Sequence, residues 1–188
     1  TYALERPFFV LATQNPIEQS GTYPLPEAQL DRFLLYLTIY YPTEAEELTM
    51  LARTTGAPTA TIEPVMSAAE IVQLQQLARS VLISPELLAY LNQLVRATRD
   101  RTHPAIDRWI RWGAGPRAGQ SLVLAAKARA LLAGRFAVSL DDITTLAAPA
   151  LRHRLLLTFE AEAENVTRDH VIRELLAAFP APANPLST

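Results

Sequence analysis

Residues 12–33 read ATQNPIEQSGTYPLPEAQLDRF, and an apolar run flanks them on each side. The first run covers residues 8–12 and the second covers residues 33–41. Near-continuous apolar runs of this length predict strands buried on both faces, as in a parallel α/β sheet. Two strands do not make a stable sheet by themselves, so we expect partner strands that this chain does not supply.

Beyond Pro42 the pattern becomes helical. Thr43 caps a predicted helix over residues 44–54, and Ser67 with Glu70 forms a capping box for the next one. Further helices are predicted from Pro85, around residues 106–112, over 116–133 before Gly134, after Ser139 with an interruption or restart at Pro149, and over 167–178. Residues 154–159, RLLLTF, fit a short strand or a turn of helix.

These patterns divide the chain near residue 42. Residues 1–42 hold the two predicted strands and their loop, and residues 43–180 form an all-helical domain of five or six helices. The proline-rich residues 181–188 are predicted to be a flexible tail. The predicted fold class is therefore mostly α, with two strands of a truncated parallel α/β core followed by a helical domain.

Composition excludes several classes of protein. The chain of 188 residues has no cysteine, which rules out a disulfide scaffold and a zinc–thiolate site. Its net charge of −2 gives no basic excess for nucleic acid. No apolar run approaches the roughly 20 residues of a membrane span, and no signal peptide is recognisable. We expect a cytoplasmic protein.

Known nucleotide and metal motifs are absent from the sequence. It contains no GxxxxGK[ST] phosphate loop and no cluster of carboxylates and histidines at metal-binding spacing, so no metal site is predicted. Asp141 and Asp142 follow Ser139 and are interpreted as the first turn of a helix. The stretch GAGPRAG, residues 113–119, resembles a dinucleotide fingerprint. That motif must follow a strand, and the sequence predicts a short helix, not a strand, around residues 106–112, so the stretch is not interpreted as a dinucleotide site.

Three polar residues occupy positions suited to a phosphate. Asn15 follows the first predicted strand, where ligands bind in open α/β sheets, although asparagine is also common in turns before proline. Arg32 either pairs with Asp31 on the surface or reaches a phosphate across a subunit boundary. Arg117 lies in the first turn of a helix, where it opposes the helix dipole unless an anion or a carboxylate partner is near.

Three segments, taken in this order, resemble the MoxR family of AAA+ ATPases. They are PFFVLATQNPIEQSGTYPLPEAQLDRF at 7–33, GAGPRAGQSLVLAAKARALLAGR at 113–135 and LRHRLLLTFEAEAENVTRDHVIRELL at 151–176. The resemblance covers essentially the whole chain. It implies that residues 1–42 are the end of an AAA+ ATPase core and that residues 43–180 are the helical lid.

The resemblance also implies a role for each of the three residues. Asn15 falls on sensor 1, which positions the attacking water against the γ-phosphate. Arg32, in LDRF, falls on the arginine finger, which acts on ATP held by a neighbouring subunit. Arg117, in GPR, falls on sensor 2. The two ends of residues 12–33 would then serve two different nucleotide sites.

The family's phosphate loop and Mg²⁺-binding acidic pair would lie upstream of Thr1. The resemblance therefore implies ATP and Mg²⁺ as cofactors of the full-length protein, while the chain alone is expected to be inactive. Family members form rings, commonly hexamers, and remodel or assemble partner proteins, often proteins with von Willebrand factor A domains. Nothing in the composition points to a particular client.

Two other functions stay open at this point. The chain could be a non-catalytic helical interaction module that retains the shape of the lid, which degraded upstream motifs would indicate. It could also bind nucleic acid through an arginine-rich connection, although its net charge disfavours this. The arginines concerned are Arg96, Arg99, Arg101, Arg108 and Arg111.

Overall fold

The computed structural model describes residues 2–14, 25–56, 62–101, 103–179 and 182. Its helices are α1 (Glu27–Leu30), α2 (Glu44–Thr54), α3 (Ala68–Ser80), α4 (Pro85–Ala97), α5 (Pro104–Trp109), α6 (Pro116–Leu132), α7 (Leu140–Leu151), α8 (Phe159–Ala163) and α9 (Arg168–Ala178). A 3₁₀ turn, Arg152–Arg154, follows α7. Two short strands, β1 (Ile110–Trp112) and β2 (Leu156–Leu157), pair antiparallel. The prediction of a mostly helical chain is confirmed.

The two predicted strands are not formed. Residues 8–12 and 33–41 belong to no ladder, and within the described ranges the sheet consists of β1 and β2 alone. A strand needs hydrogen bonds to a neighbouring strand, and neither segment has such a neighbour among the described residues. Residues 33–41 instead run beside the end of α7, where the amide of Tyr36 donates to the carbonyl of Pro149 at 2.8 Å.

The loop between the predicted strands also differs from expectation. Pro24 and Pro26 predict an extended backbone across this loop. Pro26 does have an extended backbone, with φ −56° and ψ 144°, but it is the N-cap of α1, and the four residues that follow it are helical. Pro24 lies outside the described residues, and so does Asn15.

Most predicted helix starts are confirmed. The helix expected around residues 106–112 is instead α5, Pro104–Trp109, and residues 110–112 form β1. The region beyond residue 43 has eight helices among its described residues, where five or six were expected, and it is not all-helical because β1 pairs with β2. Thr43 accepts a hydrogen bond from the amide of Glu46, and the Glu46 carboxylate accepts from Thr43 in return. Ser67 and Glu70 form the same capping box before α3. Such boxes satisfy amides that the first helical turn leaves without partners. Local sequence was therefore sufficient to place these boundaries.

The core lies among α4, α6, α7 and α9. Small side chains on α6 allow α7 to approach closely, and larger side chains from α4 and α9 fill the remaining space; the fully buried residues include Leu91, Leu94, Leu122, Ile143, Leu151, Ile172 and Leu175. Pro149 does not interrupt α7, which continues to Leu151. No helix in the described ranges is both long enough and apolar enough to cross a membrane.

Candidate functional site

The 3₁₀ turn Arg152–Arg154 contacts the segment that contains Arg32. The turn lies directly after α7, and the neighbouring segment covers residues 31–38, which follow α1. The LRHR stretch carries two arginines and a histidine between apolar residues, and burial of such charged groups requires partners. Several of those partners belong to residues 31–38 and therefore lie more than a hundred residues earlier in the sequence.

Arg154 makes the most contacts in this region, and its side chain is only 1% exposed. Its Nε donates to Oδ1 of Asp31 at 2.9 Å, and its Nη2 donates to the Asp31 carbonyl at 2.8 Å. Nη2 also donates to the carbonyl of Phe33 at 2.6 Å and to Oγ of Ser121 on α6 at 3.0 Å. Burial lowers the pKa of Arg154, and the hydrogen bond to Asp31 opposes that shift.

Asp31 is shared between two arginines. Its Oδ1 accepts from Arg154, while its Oδ2 lies 3.6 Å from Nη1 of Arg117. A surface pair between Asp31 and Arg32, one of the two alternatives from the sequence, is not formed, because both carboxylate oxygens of Asp31 face other arginines. Through Asp31, the residue directly before Arg32, this segment therefore contacts Arg117 of α6.

Arg152 and His153 hold the next part of the segment. Arg152 donates to both carboxylate oxygens of Asp169, at 3.0 and 2.9 Å, and its Nη1 donates to Oγ1 of Thr38 at 2.7 Å. Nε2 of His153 lies 3.2 Å from the carbonyl of Phe33, and its ring stacks on Tyr36 at a centroid distance of 6.0 Å. Burial, together with the charge of Arg154, lowers the pKa of His153 to about 4, so its ring is neutral near pH 7.

Arg32 itself is exposed. Its amide donates to the carbonyl of Gln29 at 3.1 Å, which closes the turn after α1. Among the described residues no carboxylate forms an ion pair with its guanidinium, since Asp31 pairs with Arg154 and Arg117. The backbone on both sides of Arg32 is fixed, while its side chain remains available.

Arg117 is the second residue of α6, after Pro116 at the first helical position. Its side chain is 51% exposed, and its distance of 3.6 Å from Asp31 is long for a charge-assisted hydrogen bond. Of the two alternatives left open by the sequence, the carboxylate partner is present in this structure. The contact is weak enough for a phosphate to compete. Two arginines, Arg117 and Arg154, contact the single carboxylate of Asp31, and the exposed Arg32 follows it in the chain, so the residues present fit an anionic ligand.

Sequence reasoning did not identify Asp31 and Arg154 as part of this arrangement. A signal was available, because a buried arginine requires a carboxylate and LDRF supplies one beside the candidate Arg32. The pairing could not be found by local pattern, since 123 positions separate the two residues. Asn15 lies outside the described residues, so its proximity to Arg117 or Arg32 stays a prediction.

Several of the other charged residues considered from the sequence form ion pairs within the chain. Asp141 and Asp142 do occupy the first turn of α7, as predicted, and pair with arginines of the lid. Of the arginine-rich connection, Arg101 pairs with Asp107, and Arg108 pairs with Glu160 and Glu164. No metal-binding group of three histidines or carboxylates occurs in the described part of the chain.

The sequence predicts no strand before the GAGPRAG stretch, and this prediction is wrong, because β1 precedes the stretch directly. β1 pairs antiparallel with β2, and the register is Ile110 opposite Leu157 and Trp112 opposite Leu156. A fingerprint requires a parallel βαβ unit, so the stretch still lacks the context for that motif.

Two family models match the chain. Residues 1–35 match a model described as "ATPase family associated with various cellular activities (AAA)". Residues 102–175 match the AAA lid domain. An ATPase-family segment followed by a helical lid is the arrangement of an AAA+ ATPase, and the contacts of residues 31–38 with the 3₁₀ turn join these two parts.

Relatives narrow this class. The Bacillus subtilis protein YeaC, which is uncharacterised, is 41% identical over 97% of this chain and 55% of its own length. The chaperone MoxR1 of Mycobacterium tuberculosis is 36% identical over 97% of this chain and 49% of its own length. The crystal structure of a proposed ATPase from Cytophaga hutchinsonii superimposes with a TM-score of 0.90 at 36% identity, covering 96% of this chain and 56% of that one.

Over nearly its whole length the chain is therefore similar to MoxR proteins and to a proposed ATPase, and two of its segments match models of the AAA family. It spans about half the length of the curated relatives it matches. The activity and partners of the whole protein are therefore matters for proposal.

Proposed function

We propose that this chain is the sensor, finger and lid portion of a MoxR-type ATPase that couples ATP hydrolysis to the remodelling or assembly of partner proteins. Asn15 serves as sensor 1, Arg32 as the arginine finger and Arg117 as sensor 2. The ATP and Mg²⁺ are held mainly by a phosphate loop and an acidic pair in the part of the protein that precedes this chain. The chain alone does not hydrolyse ATP.

One observation carries the proposal most directly: Arg32 is exposed and unpaired within the described residues, while the backbone around it is held by a buried arginine. An arginine on a surface usually pairs with a nearby carboxylate, and Asp31 is adjacent. Here Asp31 contacts Arg154 and Arg117 instead. A free guanidinium on a fixed backbone suits a group that must reach a phosphate of another subunit.

Each residue has a distinct task in phosphoryl transfer. Bound ATP with Mg²⁺ supplies the reacting phosphoryl group and neutralises part of its charge. Asn15 orients the attacking water, and Arg117 binds a phosphate oxygen of the same subunit's nucleotide after leaving Asp31. Arg32 stabilises charge that develops on the neighbouring subunit's nucleotide, a contribution of about 10³–10⁵ in rate for such arginines.

The proposal includes a ring of identical subunits, most simply a hexamer, because a finger acts only where a neighbour's site meets it. Its client would be a partner protein, for which a von Willebrand factor A-domain protein is the first candidate, in the cytoplasm. The relative named as a chaperone supports work on proteins rather than on small molecules. The pairing of Arg101 and Arg108 with carboxylates disfavours nucleic acid.

The test is ATP turnover by the full-length protein with Arg32→Ala. We expect turnover to fall by at least about 10³-fold while ATP binding is retained, because the finger stabilises only the transition state. Mixing Arg32→Ala subunits with subunits mutated in the phosphate loop should restore part of the activity. In such mixed rings, an intact phosphate loop meets an intact finger.

Arg96→Ala is the matched control, since Arg96 is an exposed arginine on α4 with no assigned role. Unchanged turnover in Arg32→Ala would refute the assignment of the finger. Absence of turnover in the unmodified full-length protein would favour the non-catalytic interaction module.

A further inference from the structure

We propose that Arg154 is a positioning residue for Arg32, so that the lid of one subunit sets the geometry of the finger that acts on the next. This inference rests on the proposed function of Arg32. It assigns Arg154 no contact with nucleotide. Its task is to fix the backbone on both sides of the finger from a buried position in the lid.

The contacts of Arg154 bracket Arg32. The guanidinium binds the carboxylate and the carbonyl of Asp31, the residue before the finger, at 2.9 and 2.8 Å. It also binds the carbonyl of Phe33, the residue after the finger, at 2.6 Å, and reaches the carbonyl of Leu34 at 3.4 Å. A single rigid group therefore restrains the peptide units on either side of Arg32.

The same guanidinium is anchored in the lid. Its Nη2 donates to Oγ of Ser121 on α6, and its Nη1 donates to the carbonyl of Ala150 on α7. These two helices pack against each other in the core, and the Arg154 side chain is almost fully buried beside them. Movement of the finger segment relative to the lid would break several of these bonds together.

The chemistry of arginine explains why this arrangement is stiff. A buried guanidinium that loses its partners is costly, because its charge and its donors are no longer solvated. The planar fork also fixes the directions of its five donors, whereas a lysine ammonium is a compact charge on a flexible stem. Lysine at position 154 would keep a charge near Asp31 but could not hold Asp31, Phe33 and Ser121 at the same time.

Position matters strongly for a finger. A displacement of about 1 Å of a group that stabilises a transition state can cost about 10²-fold in rate. Loss of the hydrogen bonds from Arg154 to Asp31 and Phe33 should therefore greatly lower the rate of hydrolysis in the neighbouring subunit's site. It should have a small effect on the subunit's own nucleotide binding, because Arg154 contacts neither Arg117 nor any proposed phosphate ligand by a hydrogen bond in the described part of the chain.

The experiment uses the full-length protein with Arg154→Lys. We expect ATP turnover of the pure variant to fall by about 10²-fold, while its affinity for ATP changes by less than about threefold. Adding subunits mutated in the phosphate loop should raise turnover per Arg154→Lys subunit. The loop-mutant neighbours supply a correctly held finger to the intact phosphate loop of the variant.

Arg135→Lys is the matched control. Arg135 also binds a buried aspartate, Asp142, but does not contact residues 31–34. The Arg135→Lys variant should have lower thermal stability. Any loss of its turnover should not be restored by mixing with phosphate-loop-mutant subunits. A structural defect alone would make Arg154→Lys behave in the same way, so equal behaviour of the two variants would overturn the inference.

A second variant covers the case in which Arg154→Lys does not fold. Asp31→Asn retains an oxygen for Arg154 but removes the charge that strengthens the bond. We expect a smaller fall in turnover, about tenfold, that mixing again repairs; no fall, or a fall that mixing leaves unchanged, contradicts the proposal. Normal turnover of Arg32→Ala would contradict the proposed function itself. If Arg32→Ala is inactive and mixing restores its turnover, the Arg154 and Asp31 variants test the role of Arg154 alone.

Discussion

Asp142 shows how the lid accommodates a buried charge at the scale of one residue. Its side chain has no exposed area, and it accepts hydrogen bonds from Arg135 at 2.7 and 2.6 Å and from the amide of Ser139 at 2.8 Å. Arg129 adds a further bond. Burial alone would raise the pKa of Asp142, but the bonds from Arg135, Ser139 and Arg129 outweigh it and lower the pKa far below the ordinary value of 3.8.

We predict that Asp142→Asn lowers the free energy of unfolding by about 1.5–3 kcal/mol, the range for hydrogen bonds to charged groups. The partners Arg129 and Arg135 remain about one-third exposed, so water recovers part of their solvation and keeps the cost below that of a fully buried pair. Urea denaturation at pH 7 measures the difference.

The pH dependence has a definite sign. Because the folded pKa of Asp142 is depressed, its contribution is fully present above the unfolded-state pKa near 3.8 and is lost as pH falls toward the folded pKa. The stability difference between Asp142→Asn and the unmodified protein should therefore shrink below about pH 4. Asp141→Asn is the control: its carboxylate is 72% exposed and pairs with Arg129 at 2.8 Å, so we expect at most about 1 kcal/mol. A difference that grows in acid would contradict the assignment.

At the scale of elements, Gly113 decides how β1 turns into α6. A Cβ added at this glycine would lie 2.1 Å from the carbonyl oxygen of Thr98 and 2.5 Å from its carbonyl carbon. The next amide, that of Ala114, donates to the buried Oγ1 of Thr98 at 2.9 Å. The glycine-rich stretch is thus explained here by close packing of two backbones at the end of α4.

We predict that Gly113→Ala destabilises the protein by about 3 kcal/mol, at the upper end for overpacking, because the atoms that clash belong to the backbone. Gly115→Ala is the matched control. A Cβ at Gly115 meets nothing within 4 Å, and we expect at most about 1 kcal/mol there from loss of the N-cap glycine. Thermal unfolding of the two variants provides the measurement, and similar stabilities would contradict the packing argument.

Elements were predictable from the sequence where local chemistry decides them. The capping boxes at Thr43 and Ser67 and the end of α6 at Gly134, which has φ +71°, follow from side-chain and backbone preferences within a few residues. Elements were mispredicted where a distant partner decides them. Residues 33–41 have the composition of a strand, but their hydrogen-bond partner in this structure is the end of α7.

The candidate site divides in the same way. Arg32 and Arg117 are candidates from the sequence because their residue types and positions are unusual and because the family resemblance is carried by long motifs; their roles stay predictions. The pair of Asp31 with Arg154 depends on how the chain closes on itself, which no local pattern encodes. The expected boundary near residue 42 stays a prediction, and the structure adds that residues 31–38 contact the turn after α7 across it.

At the scale of the whole molecule, the proposed ring determines whether each candidate residue acts on the nucleotide of its own subunit or on that of a neighbour. In the proposal, Arg32 acts on the nucleotide of a neighbouring subunit, and Arg154 acts through Arg32. The proposed role of Arg117 is instead to act on the nucleotide of its own subunit. Mixing experiments separate these directions, because a defect in the subunit's own site and a defect in a neighbour's site respond differently to an added partner.

We predict that Arg117→Ala in the full-length protein weakens ATP binding by roughly 10-fold to 100-fold, the range expected for about 1.5–3 kcal/mol of charge-assisted hydrogen bonding. Mixing with phosphate-loop-mutant subunits should not restore turnover. Every site in that mixed ring then lacks either Arg117 or the phosphate loop of its own subunit. Restoration equal to that of Arg32→Ala would show that Arg117 acts on a neighbour instead, and would overturn its assignment as sensor 2.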